Sequence, residues 1–235
     1  ILDQAHAIRT KRHQVLAHLE DMPKQLFMRR FAARACPDRV ENVIDPRRGS
    51  IRTGPFGSQL LHSEFVNEGV AVIGLDNVVG NDFSWRERRF ITWAKYEGLK
   101  RYEINPGDVL ISIMGTTGRC VVVPEGLSKA INSKHICAIT VDRSRILPEF
   151  LRATFLWHPE SRAHLRRQAK GSIMDGLNMG IIRNMPVPRV GLSEQQVFVD
   201  ALAAVRSKRD SVLRALQQDD ELFASLQSRA FRGEI

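Results

Sequence analysis

ALAAVRSKRDSVLRALQQDDELFASLQSRAF, residues 201–231, is the stretch from which the organisation of the chain follows. Steps of three and four along it carry Leu202, Val205, Arg209, Val212, Leu216, Asp219, Phe223, Leu226 and Ala230. Side chains at that spacing fall on one stripe of a helix, and an apolar stripe must be covered by another helix. The chain supplies a candidate partner at its other end. With a shift of 197 positions, Asp3, Ala7, Arg9, Lys11 and Arg12 match Asp200, Ala204, Arg206, Lys208 and Arg209, and Val15, Leu16 and Leu19 match Val212, Leu213 and Leu216. After three further residues in the second copy, Leu26, Arg29 and Phe31 match Leu226, Arg229 and Phe231.

A repeated segment is one structural unit used twice. Here the two copies lie at opposite ends of the sequence, so they are expected to pack as an antiparallel coiled coil. The first seam is expected through Ala5, Ile8, Arg12, Val15, Leu19, Met22 and Leu26. The expected contacts are Ile8, Val15 and Leu19 against Leu202, Val205, Val212, Leu216 and Phe223. Arg12 and Arg209 interrupt the two seams at equivalent positions, either fixing register or extending out of the stripe. Pro23 and the three-residue insertion are both expected to break continuity at one height. A helix of about 30 residues is about 45 Å long.

Between the copies the pattern changes. Val70–Leu75, Asp108–Ile113, Arg119–Val123 and Ile136–Val141 are short runs rich in Val and Ile and read as strands. Asn105-Pro106-Gly107-Asp108 and Gly115-Thr116-Thr117-Gly118 read as turns. Helices are expected after Pro148, and from Pro159 to near Gly171. Ser193 is the expected cap of the last helix. The expected fold class is α+β: a spacer helix over 1–35, a mixed globular domain over 40–190, and a second spacer helix over 193–232.

The 235 residues are 43% hydrophobic and 26% charged, with a net charge of +9. That balance favours a polyanionic partner, nucleic acid first. Cys36, Cys120 and Cys137 form no CxxC pair, and the seven histidines form no HxxxH or HExxH pair. The cysteines fit a reducing cytoplasm, and neither set suggests a metal site. No apolar run approaches the roughly 18 residues that a membrane span needs.

Three segments carry a family resemblance: Thr53-Gly54-Pro55-Phe56-Gly57-Ser58-Gln59-Leu60; Pro106-Gly107-Asp108-Val109-Leu110-Ile111-Ser112 with Gly115-Thr116-Thr117-Gly118; and Met185-Pro186-Val187-Pro188 with Leu192-Ser193-Glu194-Gln195-Gln196. In this order, and with the flanking repeat, they resemble the target-recognition domain and conserved helix of type I restriction-modification specificity subunits. Arg229-Ala230-Phe231-Arg232-Gly233-Glu234-Ile235 is similar to that family's carboxyl terminus. Specificity subunits of that family hold two recognition domains, so the chain looks like the carboxyl-terminal half, cut inside the central helix. A natural half-subunit that pairs with itself is the alternative.

The resemblance implies binding of one half of a bipartite duplex DNA target, together with modification (methyltransferase) subunits, a restriction subunit, and a second recognition domain in the intact subunit or a homodimer. It implies no catalytic site, cofactor or metal in this chain. Two other readings stay open: an enzyme with an unrecognised site, and a helical scaffold whose charge is incidental. No Asn-Pro-Pro-Tyr-like methyltransferase motif occurs, and Pro37-Asp38 has no Glu-x-Lys partner of the nuclease kind.

Phosphate contacts are expected from Arg47, Arg48 and Arg52, from Arg86, Arg88 and Arg89, and from Arg162, Arg166, Arg167 and Lys170. Base contacts are expected in loops, from Thr53, Ser58 and Gln59, from Thr116, Thr117 and Arg119, from Asn132, Ser133, Lys134 and His135, and from Ser172 and Asn178. Turn and capping chemistry explains the same Ser, Thr and Asn residues without DNA. Phe56 is expected in the core.

Overall fold

A computed structural model describes residues 2–85, 88–169 and 176–233. Along the chain, α1 (Leu2–Phe31) is followed by β1 (Asp38–Arg39), β2 (Ile51–Thr53), β3 (Val70–Ile73), β4 (Phe90–Ile91) and α2 (Trp93–Leu99). Five strands come next: β5 (Glu103–Ile104), β6 (Val109–Ser112), β7 (Cys120–Val122), β8 (Ala130–Asn132) and β9 (Ile136–Ile139). The remainder is α3 (Pro148–Trp157), α4 (Pro159–Ala169), α5 (Met179–Arg183), β10 (Pro186–Val187) and α6 (Leu192–Phe231). Two compact units result, one from Ile1–Arg30 with Val197–Ile235 and the other from Phe31–Gln196.

The first unit is an antiparallel helix pair. Arg9 meets Asp220 at 2.6 Å, Arg12 meets Asp219 at 2.8 Å, and the rings of Phe27 and Phe198 meet edge to face with centroids 5.6 Å apart. One residue number rises as the other falls, which fixes the direction. On α6 the half-buried and buried positions run Leu202, Val205, Arg209, Val212, Leu216, Asp219, Phe223 and Leu226, the expected seam, without a break at the three-residue insertion.

On α1 the seam is rotated by one position in alternate turns. It runs Ala5, Arg9, Arg12, Leu16, Leu19, Pro23 and Leu26, while Ile8 and Val15 are exposed, contrary to expectation. Arg9 accounts for the shift. Its guanidinium ion-pairs with Asp220 and lies 4.6 Å above the Phe223 ring, and this turns Arg9 and Leu16 inward and leaves Ile8, Val15 and Met22 on the outside. Pro23 does not interrupt α1, which continues through it.

The second unit holds two four-stranded sheets. One, in the order β2-β9-β6-β7, is antiparallel throughout; the other, β4-β3-β8-β5, contains the parallel pair β3 and β8. Ala71 and Ile73 of β3 face Leu110, Ile136 and Ala138 of the first sheet. Val70 and Val72 face Tyr96 and Leu99 of α2. Both faces of β3 are therefore covered, which is why Val70–Ile73 reads as an unbroken apolar run rather than an alternation. α3 packs on β6 and β7, and Phe150 of α3 meets Phe31 with ring centroids 5.0 Å apart. A two-stranded ribbon, β1 with β10, pairs Asp38 with Val187 and Arg39 with Pro186. Ser193 is not a cap: it stands inside the first turn of α6, where Gln195 N–H already bonds to Gly191 O at 3.0 Å.

Candidate nucleic-acid interface

Strand direction gathers most of the loops singled out in the sequence at one end of the second unit. Thr53 ends β2 opposite Cys137, Ser112 ends β6 opposite Ile136, and Cys120 begins β7 opposite Ile111. The segments 54–59, 113–119 and 133–135 therefore emerge at the same edge. The turn 133–135 also joins the two sheets, since β8 ends at Asn132 and Ser133 N–H donates to Ile73 O at 2.9 Å. Leu177 N–H donates to Ile113 O at 2.9 Å and brings the start of 176–178 to this edge. The result is a loop face built on rigid strand ends, the usual place for recognition residues.

The individual side chains divide by what they touch. Ser58, Thr116, Thr117 and Lys134 are exposed on this face. Thr53 is half-buried within β2. Gln59 Oε1 accepts from Phe56 N–H (3.1 Å) and from the Tyr102 hydroxyl (2.8 Å), so its carbonyl is committed to the turn. Phe56 is 45% exposed rather than in the core, because Gly57, at φ +57°, turns the chain outward immediately after it. Asn132 is fully buried and its Nδ2 donates to Ile136 O at 2.8 Å across the turn; it is out of reach of a base edge. Ser133 Oγ is also buried, without a partner among the described residues. Asn178 caps α5 by accepting from Ile181 N–H at 2.9 Å, so the bland capping reading applies to its side-chain oxygen. Ser172 lies outside the described residues.

His135 is half-buried. Burial, and then the charge of Lys134, hold its imidazole below the ordinary value and favour the neutral form.

Two positioning residues were not legible. Ser112, fully buried, donates from Oγ to Thr116 O (2.6 Å) and accepts from Arg119 N–H (2.8 Å), which locks the 113–119 turn. Asn81, at φ +58°, accepts from Cys120 N–H at 3.0 Å and ties its own loop to the start of β7. The one hint in the sequence is that Asn tolerates left-handed backbone.

The cations are less uniform than expected. Burial lowers the pKa of the Arg162 guanidinium, and the nearby positive charges of Arg166 and Arg119 lower it further, so these three form a basic cluster beside the 113–118 turn. Arg166 and Arg167 are exposed. Arg88 is exposed beside Trp85, 5.7 Å from its ring, while Arg89 is engaged with Asp76. Arg86 and Lys170 lie outside the described residues.

Arg52 is structural. Its guanidinium is bonded to Asp108, which is 1% exposed, to Glu103 O (2.8 Å) and to Thr140 Oγ1 (3.1 Å). Arg47 and Arg48 precede β2 and so stand at the opposite end of the sheet from the loop face.

No group of three or more His, Cys, Asp or Glu side chains among the described residues is arranged to hold a metal. Cys36 Sγ lies 3.5 Å from Nδ1 of the buried His158, but burial first, and then Glu160, push its thiol up to about 12. At neutral pH the thiolate that acts as a nucleophile is scarce.

The fold is shared with solved chains of type I restriction-modification systems. The HsdS subunit from Thermoanaerobacter tengcongensis matches over 100% of this chain and 56% of that one, with a TM-score of 0.59 and 16% identity. A chain from a structure of complex assembly and conformational transition in the type I R-M system matches over 99% of this chain and 56% of its own, with a TM-score of 0.66 and 16% identity. The type I restriction-modification S subunit from M. genitalium matches over 96% and 56%, with a TM-score of 0.59 and 13% identity. In sequence the chain is similar to the type I restriction enzyme EcoBI specificity subunit of Escherichia coli, at 25% identity over 174 residues covering 72% of this chain and 36% of that protein. The resemblance read from the motifs is thus borne out. The chain spans about half the length of the solved chains and about a third of the curated relative. No family model matches it.

Proposed function

We propose that this chain recognises one half of a bipartite duplex DNA target as a non-catalytic specificity subunit of a type I restriction-modification complex in the cytoplasm. The observation that carries the reading is the loop face, where three turns set on strand ends stand beside the Arg119–Arg162–Arg166 cluster. Arginines there suit phosphate contacts that fix position, and the exposure of Ser58, Thr116, Thr117 and Lys134 on the same face supports base contacts from them. The similarity to the EcoBI specificity subunit points to the same role. Among the described residues no helix is long and apolar enough to cross a membrane.

Methyltransferase and restriction subunits supply the chemistry, and a second recognition domain supplies the other half-site. The outward line Ile8, Val15 and Met22, seven residues apart on α1 and each 37–49% exposed, supports docking of another protein on the helix pair.

Methylation mapping in cells that carry this subunit with its modification partner tests the reading. The expected result is one motif of two short blocks around a fixed gap, with only one block changed when residues 40–190 are exchanged for another subunit's domain. Change in both blocks, or methylation without sequence preference, defeats it.

A further inference from the structure

The end of the second unit remote from the loop face carries a basic groove that the reading of DNA bases does not use. Three adjoining concavities of about 600, 340 and 700 Å³ meet there, and Arg47 lines all of them. Arg48 lines two, Arg101 and Arg143 line one each, and Arg183 closes the first.

The carboxylates in the same walls are already engaged, with the exception of Glu41. Asp45 is held by Arg47 (2.8 Å), Asp142 by the Ser144 hydroxyl (2.6 Å) and Arg145 (3.4 Å), Asp108 by Arg52, and Glu103 by Tyr96 and Lys129. By contrast, Arg48, Arg101, Arg143 and Arg183 form no ion pair among the described residues. Two of these are nonetheless held in place. Arg143 lies over the turn at Gly107, where a Cβ would be 2.1 Å from its Nη2, and Arg101 lies 4.7 Å above the Tyr102 ring.

We propose that this groove is a second phosphate-binding surface, which takes the backbone of duplex DNA independently of the loop face. The nature of the lining decides between nucleic acid and protein. A stable protein interface has an apolar or aromatic centre. Among the described residues, none of the exposed large hydrophobic ones lies in these walls. Guanidinium groups gathered along these walls, with no exposed large hydrophobic side chain among them, match a chain of phosphates, to which planar forks bond two oxygens at a time.

The test measures binding of the full chain to a duplex of about 15 base pairs with unrelated sequence, across a salt series, by fluorescence anisotropy. R48A/R101A/R143A alters three exposed side chains and should lower affinity about tenfold or more at low salt. It should also reduce the slope of log affinity against log salt by about 2–3, close to one per lost phosphate contact. R48K/R101K/R143K should restore most of that slope, and the methylated sequence in cells should be the same for both variants. An unchanged slope and affinity in the alanine variant overturns the proposal, as does the absence of binding by the unaltered chain at low salt. So does a variant that binds DNA normally but no longer assembles with its methyltransferase partner, since the groove would then be a protein contact. Failure of the base-reading role registers separately, as a methylation pattern indifferent to changes at Ser58, Thr116 and Lys134.

Discussion

Removing Arg52 leaves Asp108 as a buried carboxylate without its cation. Asp108 is 1% exposed and, among the described residues, retains only Thr140 Oγ1 and the N–H of Asn105 as donors. Arg52→Ala is expected to cost about 3 kcal/mol in urea unfolding, mostly the penalty of the stranded charge. Gly54 is constrained by close approach rather than by a turn: a Cβ there would lie 2.1 Å from Asn132 O, a backbone atom. Gly54→Ala should therefore destabilise the chain by about 2 kcal/mol or more, and should shift the 133–135 turn.

His135 makes a prediction about pH. The folded state holds its imidazole below the ordinary 6.5, so stability from this group is present above that value and is lost as pH falls through the window beneath it. A bound phosphate favours the imidazolium, so DNA affinity should rise between about pH 7 and about pH 5.5, and His135→Gln should flatten that dependence. A titration with no difference between the two proteins would remove His135 from the interface. Residue roles of this kind were the least legible part of the sequence. Asn132 and Lys134 belong to one short motif, yet one is fully buried and the other exposed, and only the turn that joins the two sheets decides which is which.

At the scale of elements, the helix pair owes its stability to a narrow seam. Leu19 and Leu216, 8% and 7% exposed, are its most enclosed leucines among the described residues. Leu→Ala at either should cost about 2–4 kcal/mol by thermal or urea melting. Replacing Ile8, Val15 and Met22 together by Ser should change stability little and should instead abolish co-purification with the proposed methyltransferase partner. Retained co-purification would refute the docking role of that line. The α6 seam was readable because both of its columns are set by its own apolar spacing. The α1 seam was misread because Arg9 finds Asp220 and the Phe223 ring on the opposite helix, which spacing within α1 cannot reveal. Likewise the four Val- and Ile-rich runs were found as strands, while β1, β4, β5 and β10, two residues each, carry too little pattern to register.

At the scale of the whole molecule, the repeat at the two ends, the α+β class and the order of the motifs were all available before any coordinates. Which basic clusters share a face was not. Arg47 and Arg48 stand only a few residues before Thr53, but the length of β2 separates them from the loops, so cations close in sequence belong to opposite ends of one sheet. Cations therefore stand at both ends of that sheet, and, with the proposed groove in play, salt should weaken DNA binding more steeply than the loop face alone accounts for.

The β1–β10 ribbon carries a last implication. Asp38 and Val187 are directly paired, and Arg189 reaches Asp38 at 2.7 Å, so the insert leaves the chain where it entered. A module whose two ends touch can be excised and replaced at a single spatial junction, whatever the size of the replacement. If the chain reads DNA as proposed, genetic exchange across these two cut points would change the sequence that is read and leave the helix pair as inherited.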